Sequence, residues 1–453
     1  MQESKNSNQE AKIWRNLGLA LFGVLLLVGV WTVPDYGMGW DEPTRWRSGD
    51  AKIAYYQELF SSEDRTELIR GVGSDRYPGL FDMSLSLLHQ WTGWDRLLLG
   101  HYWSFAFGLV GLVALWFAAR RLGGAKLAFW ATLFLVLTPS FYGHWFHNPK
   151  DIPFAAMYML ALAALLRVAD ALPEVRWRSL FLFGIGLGLV LSVRIAGLVV
   201  LGYFGCLIGF FAVREWARRE EQGMLPSLAG LFDAHWKRLA KLLLMGVGAA
   251  GIGFLVLLIW WPSGHKNIFA ASGSTFQALH TSASEIPLFF RGQFYEAADT
   301  PFYYAVWMTA VKSPESLLLL LAAAAAALAI RLRRGLRHFL AELSLPWAVV
   351  ALGGLFPLAY LTVTAPALHN GARHFLFIFP PLCILAAGGW LWLLDRFPGD
   401  RANRTGLIVR LLIPGLILVQ AVQLAALHPY QYVYHNTLVG GPSGSYGRYE
   451  TEY

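Results

Sequence analysis

Charged side chains are scarce in this sequence. Only 15% of the 453 residues are Asp, Glu, Lys or Arg, whereas 56% are hydrophobic. Soluble chains usually carry about 25% charged residues, and disordered chains carry few hydrophobic ones. The composition therefore excludes both a soluble enzyme and a disordered chain.

Cysteine is almost missing as well. The sequence has two cysteines, Cys206 and Cys383, and each lies inside an apolar run. Small domains built on disulfides need several cysteine pairs, so that class is excluded and the two thiols are interpreted as small core residues. A Walker sequence is also missing, which argues against a pump fuelled by ATP.

Apolar runs of about twenty residues, in contrast, recur along the whole chain, a pattern typical of transmembrane helices. The first run, 17–33, is too long for the apolar core of a cleaved signal peptide and is interpreted as a retained span. The stretch 179–213 is read as two short spans with Arg194 at their turn, although one long tilted helix with an interfacial piece is the alternative. The predicted spans are 16–34, 97–119, 127–141, 153–168, 179–193, 195–213, 242–261, 314–330, 346–364, 374–394 and 407–427.

Basic residues are concentrated at alternate ends of these spans. The segments on one side hold 23 of the 37 Lys and Arg residues but 11 of the 29 Asp and Glu residues. The positive-inside rule assigns that side to the cytoplasm. The net charge of +8 is therefore a topology signal and not a nucleic-acid footprint.

The long segments then fall on the extracytoplasmic side, where we expect the chemistry. Within them, 50–70, 80–91 and 301–311 have the apolar spacing of amphipathic helices lying on the bilayer surface. Short loop helices packed on the protein itself are an equal alternative. The long outer segments are 35–96, 142–152, 262–313, 365–373 and 428–453.

Two adjacent acids, Asp41 and Glu42, follow the first span. A carboxylate at a membrane boundary can have a raised pKa and can take a proton from an acceptor hydroxyl, so this pair is a candidate general base. The alternative is a surface pair that caps the following helix, since acids favour the first turn.

A short outer hairpin carries the next candidates, His147, Asn148, Lys150 and Asp151. Asp151 with His147 or Asp41 could hold a divalent cation such as Mg²⁺ or Mn²⁺, and Lys150 could bind a phosphate. The alternative is a polar turn in which Lys150 and Asp151 pair with each other, which contributes little at a surface.

Cations also lie at the outer membrane boundary, namely Arg194 and the pair Arg373 and His374. Placing a cation near hydrocarbon costs free energy, so such a residue usually forms an ion pair or belongs to a functional site. A guanidinium can bind a phosphate through two parallel hydrogen bonds. Snorkelling toward lipid headgroups is the alternative. The tail 428–453, rich in Tyr and Gly, could stack on a sugar or form a surface turn.

These groups together suggest a group transfer at the outer face. Nucleotide sugars and ATP are generally unavailable there, so the donor must already reside in the membrane, as a lipid phosphate carrying a sugar does. Cations would hold the departing phosphate while the acid activates the acceptor.

At these positions the sequence resembles the polytopic GT-C glycosyltransferases, in particular the protein O-mannosyltransferase and aminoarabinose transferase group. The pair Asp41–Glu42 resembles the Asp-Glu motif of that superfamily. The segment 77–80 (Tyr-Pro-Gly-Leu) resembles its Pro-Pro-Leu-type start of a second interfacial helix, and 301–304 (Pro-Phe-Tyr-Tyr) resembles a Pro-Trp-Tyr-Tyr stretch. Arg373–His374, followed by two prolines at 380–381, resembles the Arg-His start of a late span.

The resemblance implies roles for individual residues. Asp41 would be the catalytic base, Glu42 would contact the acceptor, and Asp151 would orient the donor or a metal. Arg373 would contact the donor phosphate, and the neighbouring His374 is a further candidate for that contact. From their chemistry, two further residues are candidate phosphate contacts, namely Lys150 and Arg194. Three others are candidate substrate contacts, namely Asn148, Tyr303 and Tyr304.

The sequence thus predicts an all-α integral membrane protein of GT-C type, with about eleven transmembrane helices over 1–427 and an extracytoplasmic tail at 428–453. It would move a sugar, with inversion, from a polyprenyl phosphate-linked donor to a hydroxyl of a lipid, glycan or protein. The site would face the periplasm or exterior of the plasma (inner) membrane. A multi-span transporter or lipid flippase is the alternative, and it would need ionisable residues deep within the spans. The sequence has no counterpart of the large soluble domains of some protein mannosyltransferases. A longer C-terminal domain of the family type is expected either to be missing from this sequence or never to have been part of the protein.

Overall fold

The computed structural model describes residues 2–58, 77–222, 228–265, 273, 287–398 and 404–451. These ranges consist almost entirely of helices, as the apolar runs predict. The α-helices are α1 (Gln2–Thr32), α2 (Glu42–Gln57), α3 (Leu80–Thr92), α4 (Arg96–Val136), α5 (Pro139–His147), α6 (Asp151–Ala171), α7 (Trp177–Leu191), α8 (Val199–Glu221), α9 (Leu228–Trp260), α10 (Tyr304–Lys312), α11 (Glu315–Leu332), α12 (Leu336–Ala341), α13 (Leu345–Thr364), α14 (Phe379–Arg396), α15 (Arg404–Ala426) and α16 (Gly441–Ser445). Short 3₁₀ segments connect several of them, at Val33–Asp35, Ile195–Leu198, Pro262–His265, Ala297–Asp299, Arg373–Ile378, Gln431–Val433 and Thr437–Val439.

Nine helices in the described ranges are long and apolar enough to cross a membrane. The sequence predicts eleven spans, and two places account for the difference. Helix α7 is shorter than these nine helices. Helix α4 covers the predicted span 97–119 and the first ten residues of the predicted span 127–141. At 41 residues α4 is about 60 Å long, twice the hydrocarbon thickness, but its backbone leaves helical geometry at Gly123 and Gly124. The count of eleven therefore stays a prediction.

The centre of the bundle is formed by α4, α6 and α14. The apolar stretch of α6 is 78% buried, whereas that of α15 is 11% buried. Helix α6 packs against α4 and α7, and α14 packs against α4 and α11. Because α15 presents Leu411, Leu418 and Val422 outward, it lies at the lipid-facing periphery.

The outer segments contain the short helices that the sequence predicts, with one shift. The predicted helix 50–70 is found as α2, which begins eight residues earlier with Glu42 and Pro43 in its first turn, where an acid and a proline are favoured. Residues 59–70 of that prediction lie outside the described ranges. The predictions 80–91 and 301–311 correspond to α3 and α10, and α2 packs against α3.

A small antiparallel hairpin follows, with β1 (Leu288–Phe290) paired to β2 (Gln293–Tyr295). Positive φ at Arg291 and Gly292 forms its two-residue turn. Phe290 also bridges to Tyr449, close to the C-terminus. The hairpin thereby joins the outer segment before α10 to the tail.

The tail is folded into the protein. Asn436 and His435 are almost fully buried, and the Asn436 amide donates to the carbonyls of Ala310 (2.8 Å) and Ser313 (2.9 Å). Farther along, Glu450 accepts a hydrogen bond from the backbone of Gly371 at 3.1 Å. The tail therefore supports α10 and the connection before Arg373, although the domain boundary at 427/428 stays a prediction.

Candidate active site

Four connections between helices meet at one end of the bundle and bring their charges together. Asp41 directly precedes α2, and Asp151 is the first residue of α6. Arg194 lies in the break between α7 and the segment Ile195–Leu198, and Arg373 begins the segment Arg373–Ile378 that leads into α14. At a helix start, backbone N–H groups and neighbouring side chains can face a space that is shared with other helix starts. Groups in the middle of a continuous helix cannot do so, because their N–H groups are already bonded within the helix.

Arg373 joins the two acids. Its Nε donates to Asp151 Oδ2 at 2.8 Å, and its Nη2 donates to Asp41 Oδ2. The side chains of Arg373 and Asp151 are 6% and 3% exposed, whereas that of Asp41 is 28% exposed. Asp41 is thus the accessible carboxylate and Asp151 the enclosed one. The Asp41 side chain makes no capping hydrogen bond to α2, although Glu42 lies in the first turn as the capping alternative expects.

Asp151 is enclosed by further donors. Arg194 forms an ion pair with its Oδ1, and the Asn148 amide donates to its Oδ2 at 3.1 Å. Asn148 Oδ1 in turn accepts from the backbone N–H of Asp151 at 2.8 Å and of Lys150 at 3.2 Å. Asn148 therefore fixes the turn that begins α6, and a charge this deep costs several kcal/mol if its partners are removed.

A second group of cations surrounds Tyr77. Lys150 Nζ lies 4.5 Å from the centre of its ring and the Arg45 guanidinium 4.8 Å from it. Burial by itself raises the pKa of the Tyr77 phenol, but Lys150, Arg194 and Arg45 outweigh it, and the pKa is lowered. Desolvation, and then the charge of Arg194, lowers the pKa of Lys150 to about 8. The surroundings of Tyr77 are electropositive, which suits an anion.

One carboxylate, Asp82 on α3, faces two of the cations on α2. Arg45 Nη1 lies 3.4 Å and Lys52 Nζ 3.6 Å from Asp82 Oδ2, which also accepts from Ser48 at 2.8 Å. Lys52 is fully buried. This group is not among the residues predicted from the sequence, because the apolar spacing of the helix says nothing about its polar face. The spacing of Arg45, Ser48 and Lys52, three and four residues apart, is the signal that places them on one polar face.

The side chain of Glu42 points toward the protein interior. It is 2% exposed, its Oε2 accepts from the backbone N–H of Gly39 at 2.6 Å, and His101 Nε2 on α4 lies 3.3 Å from Oε1. The contact of Glu42 with an acceptor, implied by the resemblance, stays a prediction. His101 was not singled out from the sequence, since a histidine within an apolar run carries no local signal of its partner.

The remaining candidates lie around this centre. His374 Nε2 is 3.4 Å from His369 Nε2. The Tyr304 hydroxyl donates to the carbonyl of Gly371 at 3.3 Å, and the Tyr303 ring packs near Phe290. Tyr304 thus supports the turn before Arg373. The predicted phosphate contact of His374 and substrate contacts of Tyr303 and Tyr304 stay predictions.

The residues near Asp151 do not fit the divalent cation suggested by the sequence. Asp151 is surrounded by two guanidinium groups and an amide, which are donors where a metal ion would need open carboxylate oxygens. His147 packs against the ring of Tyr432, with 4.8 Å between centroids, and burial followed by His144 holds its pKa well below the usual range. Over the ranges that the structure describes, no group of three or more His, Cys, Asp or Glu side chains could hold a metal ion. The divalent cation stays a prediction, and no step below uses it.

Comparisons with known proteins bear on the fold of this chain. The family model of dolichyl-phosphate-mannose-protein mannosyltransferases matches residues 99–234. The crystal structure of ArnT from Cupriavidus metallidurans bound to undecaprenyl phosphate, which is 15% identical, superimposes with a TM-score of 0.54 over 92% of this chain and 72% of that chain. This chain has the GT-C fold.

A second GT-C structure is also similar. Archaeal oligosaccharyltransferase AglB from Archaeoglobus fulgidus, in complex with an inhibitory peptide and a dolichol-phosphate, is 13% identical with a TM-score of 0.53. The match covers 96% of this chain and 56% of that chain. No curated protein sequence matches the chain. The GT-C fold expected from the sequence is confirmed, and so is its all-α integral membrane class.

Proposed function

We propose that this GT-C protein transfers a sugar from a polyprenyl phosphate-linked donor to an acceptor hydroxyl outside the cytoplasm. The observation that carries the proposal is the Arg373 bridge between a partly exposed acid, Asp41, and an enclosed one, Asp151. Next to this bridge, Lys150 and Arg194 supply positive charge of the kind that a departing phosphate requires.

In the proposed reaction, the acceptor oxygen attacks the anomeric carbon of the donor sugar. The bond from that carbon to the phosphate oxygen breaks, and the phosphate leaves with the electron pair toward Lys150 and the guanidinium groups. The acceptor proton moves to the carboxylate of Asp41. One direct displacement inverts the anomeric carbon. Asp151 pairs with both Arg194 and Arg373 and keeps the two guanidinium groups oriented.

The donor class is supported by what two similar structures hold, undecaprenyl phosphate in ArnT and a dolichol-phosphate in AglB. The acceptor is proposed to be a hydroxyl of a lipid, glycan or protein. The distribution of basic residues supports a site facing the periplasm or exterior of the plasma (inner) membrane. The transporter alternative is less favoured, because the charges of this cluster lie at helix starts and not midway along the spans.

The proposal is tested by supplying purified protein in lipid nanodiscs with polyprenyl phosphate-sugars and a mixture of acceptors. We expect Asp41→Asn to lower the rate of sugar transfer by about 10²- to 10⁴-fold, since it removes the proton acceptor and keeps the size of the side chain. Asp35→Asn is the matched control, because Asp35 is a half-exposed acid six residues earlier that pairs with His428. Transfer by Asp41→Asn at the wild-type rate would end the assignment of the base.

A further inference from the structure

Two polar side chains of α4 point toward the acid-bearing turns. His101 and Ser104 are three residues apart and therefore share one face of the helix. Each is 1% exposed. Neither side chain belongs to the cluster of Asp41, Asp151, Arg194 and Arg373, yet each contacts the backbone or side chain next to one of its acids.

His101 acts on the turn that carries Asp41. Its Nε2–H donates to the carboxylate of Glu42, 3.3 Å from Oε1 and 3.4 Å from Oε2. The same carboxylate accepts from the backbone N–H of Gly39 at 2.6 Å. Residues 39–42 are thereby closed into a turn attached to α4, and Asp41 lies inside that turn.

Ser104 acts on the turn that carries Asp151. Its hydroxyl donates to the backbone carbonyl of Asn148 at 3.3 Å. The side chain of Asn148 holds Asp151 twice, through the Asp151 N–H at 2.8 Å and through its carboxylate at 3.1 Å. A single helical turn of α4 is therefore joined to both acids.

The contacts form a closed ring. Starting from α4, it runs through Glu42 to Asp41, across Arg373 to Asp151, and through Asn148 back to α4. The acids, Arg373 and Asn148 lie at helix starts or in connections, whereas His101 and Ser104 lie within a long helix packed in the core, so α4 is the rigid part of the ring. If the Arg373 guanidinium were the only link, Asp41 and Asp151 could move together relative to α4.

We propose that His101 and Ser104 are positioning residues that set the placement of Asp41 relative to Asp151 across Arg373. This inference deepens the proposed function and rests on it for its catalytic consequence. It gives Glu42 a place in the site as the link between His101 and the base.

The kinetic test compares His101→Ala and Ser104→Ala with wild type in the sugar-transfer assay. We expect kcat to fall about 10- to 100-fold, because a displacement of about 1 Å at a reacting group costs that much. The KM for the donor should stay within about twofold. His101→Gln and Ser104→Thr should restore most of kcat, since the Gln amide can replace Nε2–H and Thr keeps the hydroxyl.

Trp103→Phe is the matched control. Trp103 lies on the same turn of α4 and donates to Ser84 on α3 at 2.9 Å. Its replacement removes one hydrogen bond of α4 without touching either acid-bearing turn, so kcat should stay near the wild-type value. An equal loss of kcat in this variant, or unchanged kcat in both alanine variants, would overturn the proposal.

Hydrogen exchange supplies a readout that does not depend on catalysis. We expect the amide of Gly39 to exchange at least tenfold faster in His101→Ala, and the amides of Lys150 and Asp151 to do so in Ser104→Ala. Exchange across the rest of α6 should be unchanged. Unchanged exchange at both turns, or a uniform increase that includes α6, would overturn positioning. If the wild-type protein transfers no sugar, the proposed function fails while this measurement still decides the positioning.

Discussion

Arg373 shows how one side chain can organise a site whose other members are charged. It contacts the partly exposed acid and the enclosed acid at once, and both contacts are charge-assisted hydrogen bonds. A lysine at this position would carry the same charge but could not reach two carboxylates with a planar fork. The different roles proposed for Asp41 and Asp151 rest on their different exposure on the two sides of this guanidinium.

Lys150 makes the proposed reaction dependent on pH. Because its pKa is lowered to about 8, the ammonium is charged below that pH and neutral above it. Its attraction for the donor phosphate is therefore lost as the pH rises through about 8. We expect kcat/KM for the donor to fall about tenfold per pH unit above that value, measured from initial rates between about pH 6.5 and 9.5.

Lys150→Arg is the control for this dependence. A guanidinium stays charged over the whole range, so the decline above about pH 8 should disappear even if the rate itself is lower. A wild-type profile that is flat through pH 8 to 9 would exclude Lys150 as a phosphate contact.

Among the elements, α4 combines two lengths of helix with one break. The break lies at Gly123 and Gly124, and the φ of Gly124 is +73° with a ψ of −171°. Side chains other than hydrogen are strained in that region whatever the surrounding space. The break lets a 41-residue helix turn where a straight one would leave the bilayer.

Replacing Gly124 tests this account of the break. A Cβ at Gly124 meets nothing within 4 Å, so Gly124→Ala isolates the backbone term, and we expect a loss of about 1 to 3 kcal/mol in stability. Gly202→Ala is the matched control, since Gly202 also faces open space but lies inside α8. That variant should be unchanged or up to about 1 kcal/mol more stable. Thermal unfolding in detergent measures both, and equal melting temperatures for the two variants would contradict the expectation.

At the scale of the whole molecule, the orientation in the membrane decides what the site can reach. Trp40, beside the acid pair, is 84% exposed, and Leu336, in a segment assigned to the cytoplasm, is 62% exposed. After Cys206 and Cys383 are replaced by Ala, we expect a membrane-impermeant maleimide to label Trp40→Cys in intact cells. Leu336→Cys should react only after lysis. The reverse pattern would place the site in the cytoplasm and remove the argument for a membrane-resident donor.

Part of the site could be predicted because some of its residues carry a signal in the local sequence. Asp41, Asp151 and Arg373 are charges at the ends of apolar runs, and such residues are costly without partners. Arg45, Lys52 and Asp82 gave no such signal, since their outer-loop segments are amphipathic and a polar face normally meets water. The start of α2 was misplaced by eight residues, because the apolar spacing begins later than the backbone signals of Glu42 and Pro43.

The sequence alone determined that this is a helical membrane protein, and it located the turns that carry acids and arginines. The hydropathy of a segment depends only on the residues of that segment, so a membrane span can be predicted without knowing which helices pack beside it. The contact between Asp41 and Arg373, 332 residues apart, and the attachment of both acid-bearing turns to α4 are visible only in the folded protein. The energy of a buried charge depends on which helix ends become neighbours, and that depends on the packing of the whole bundle.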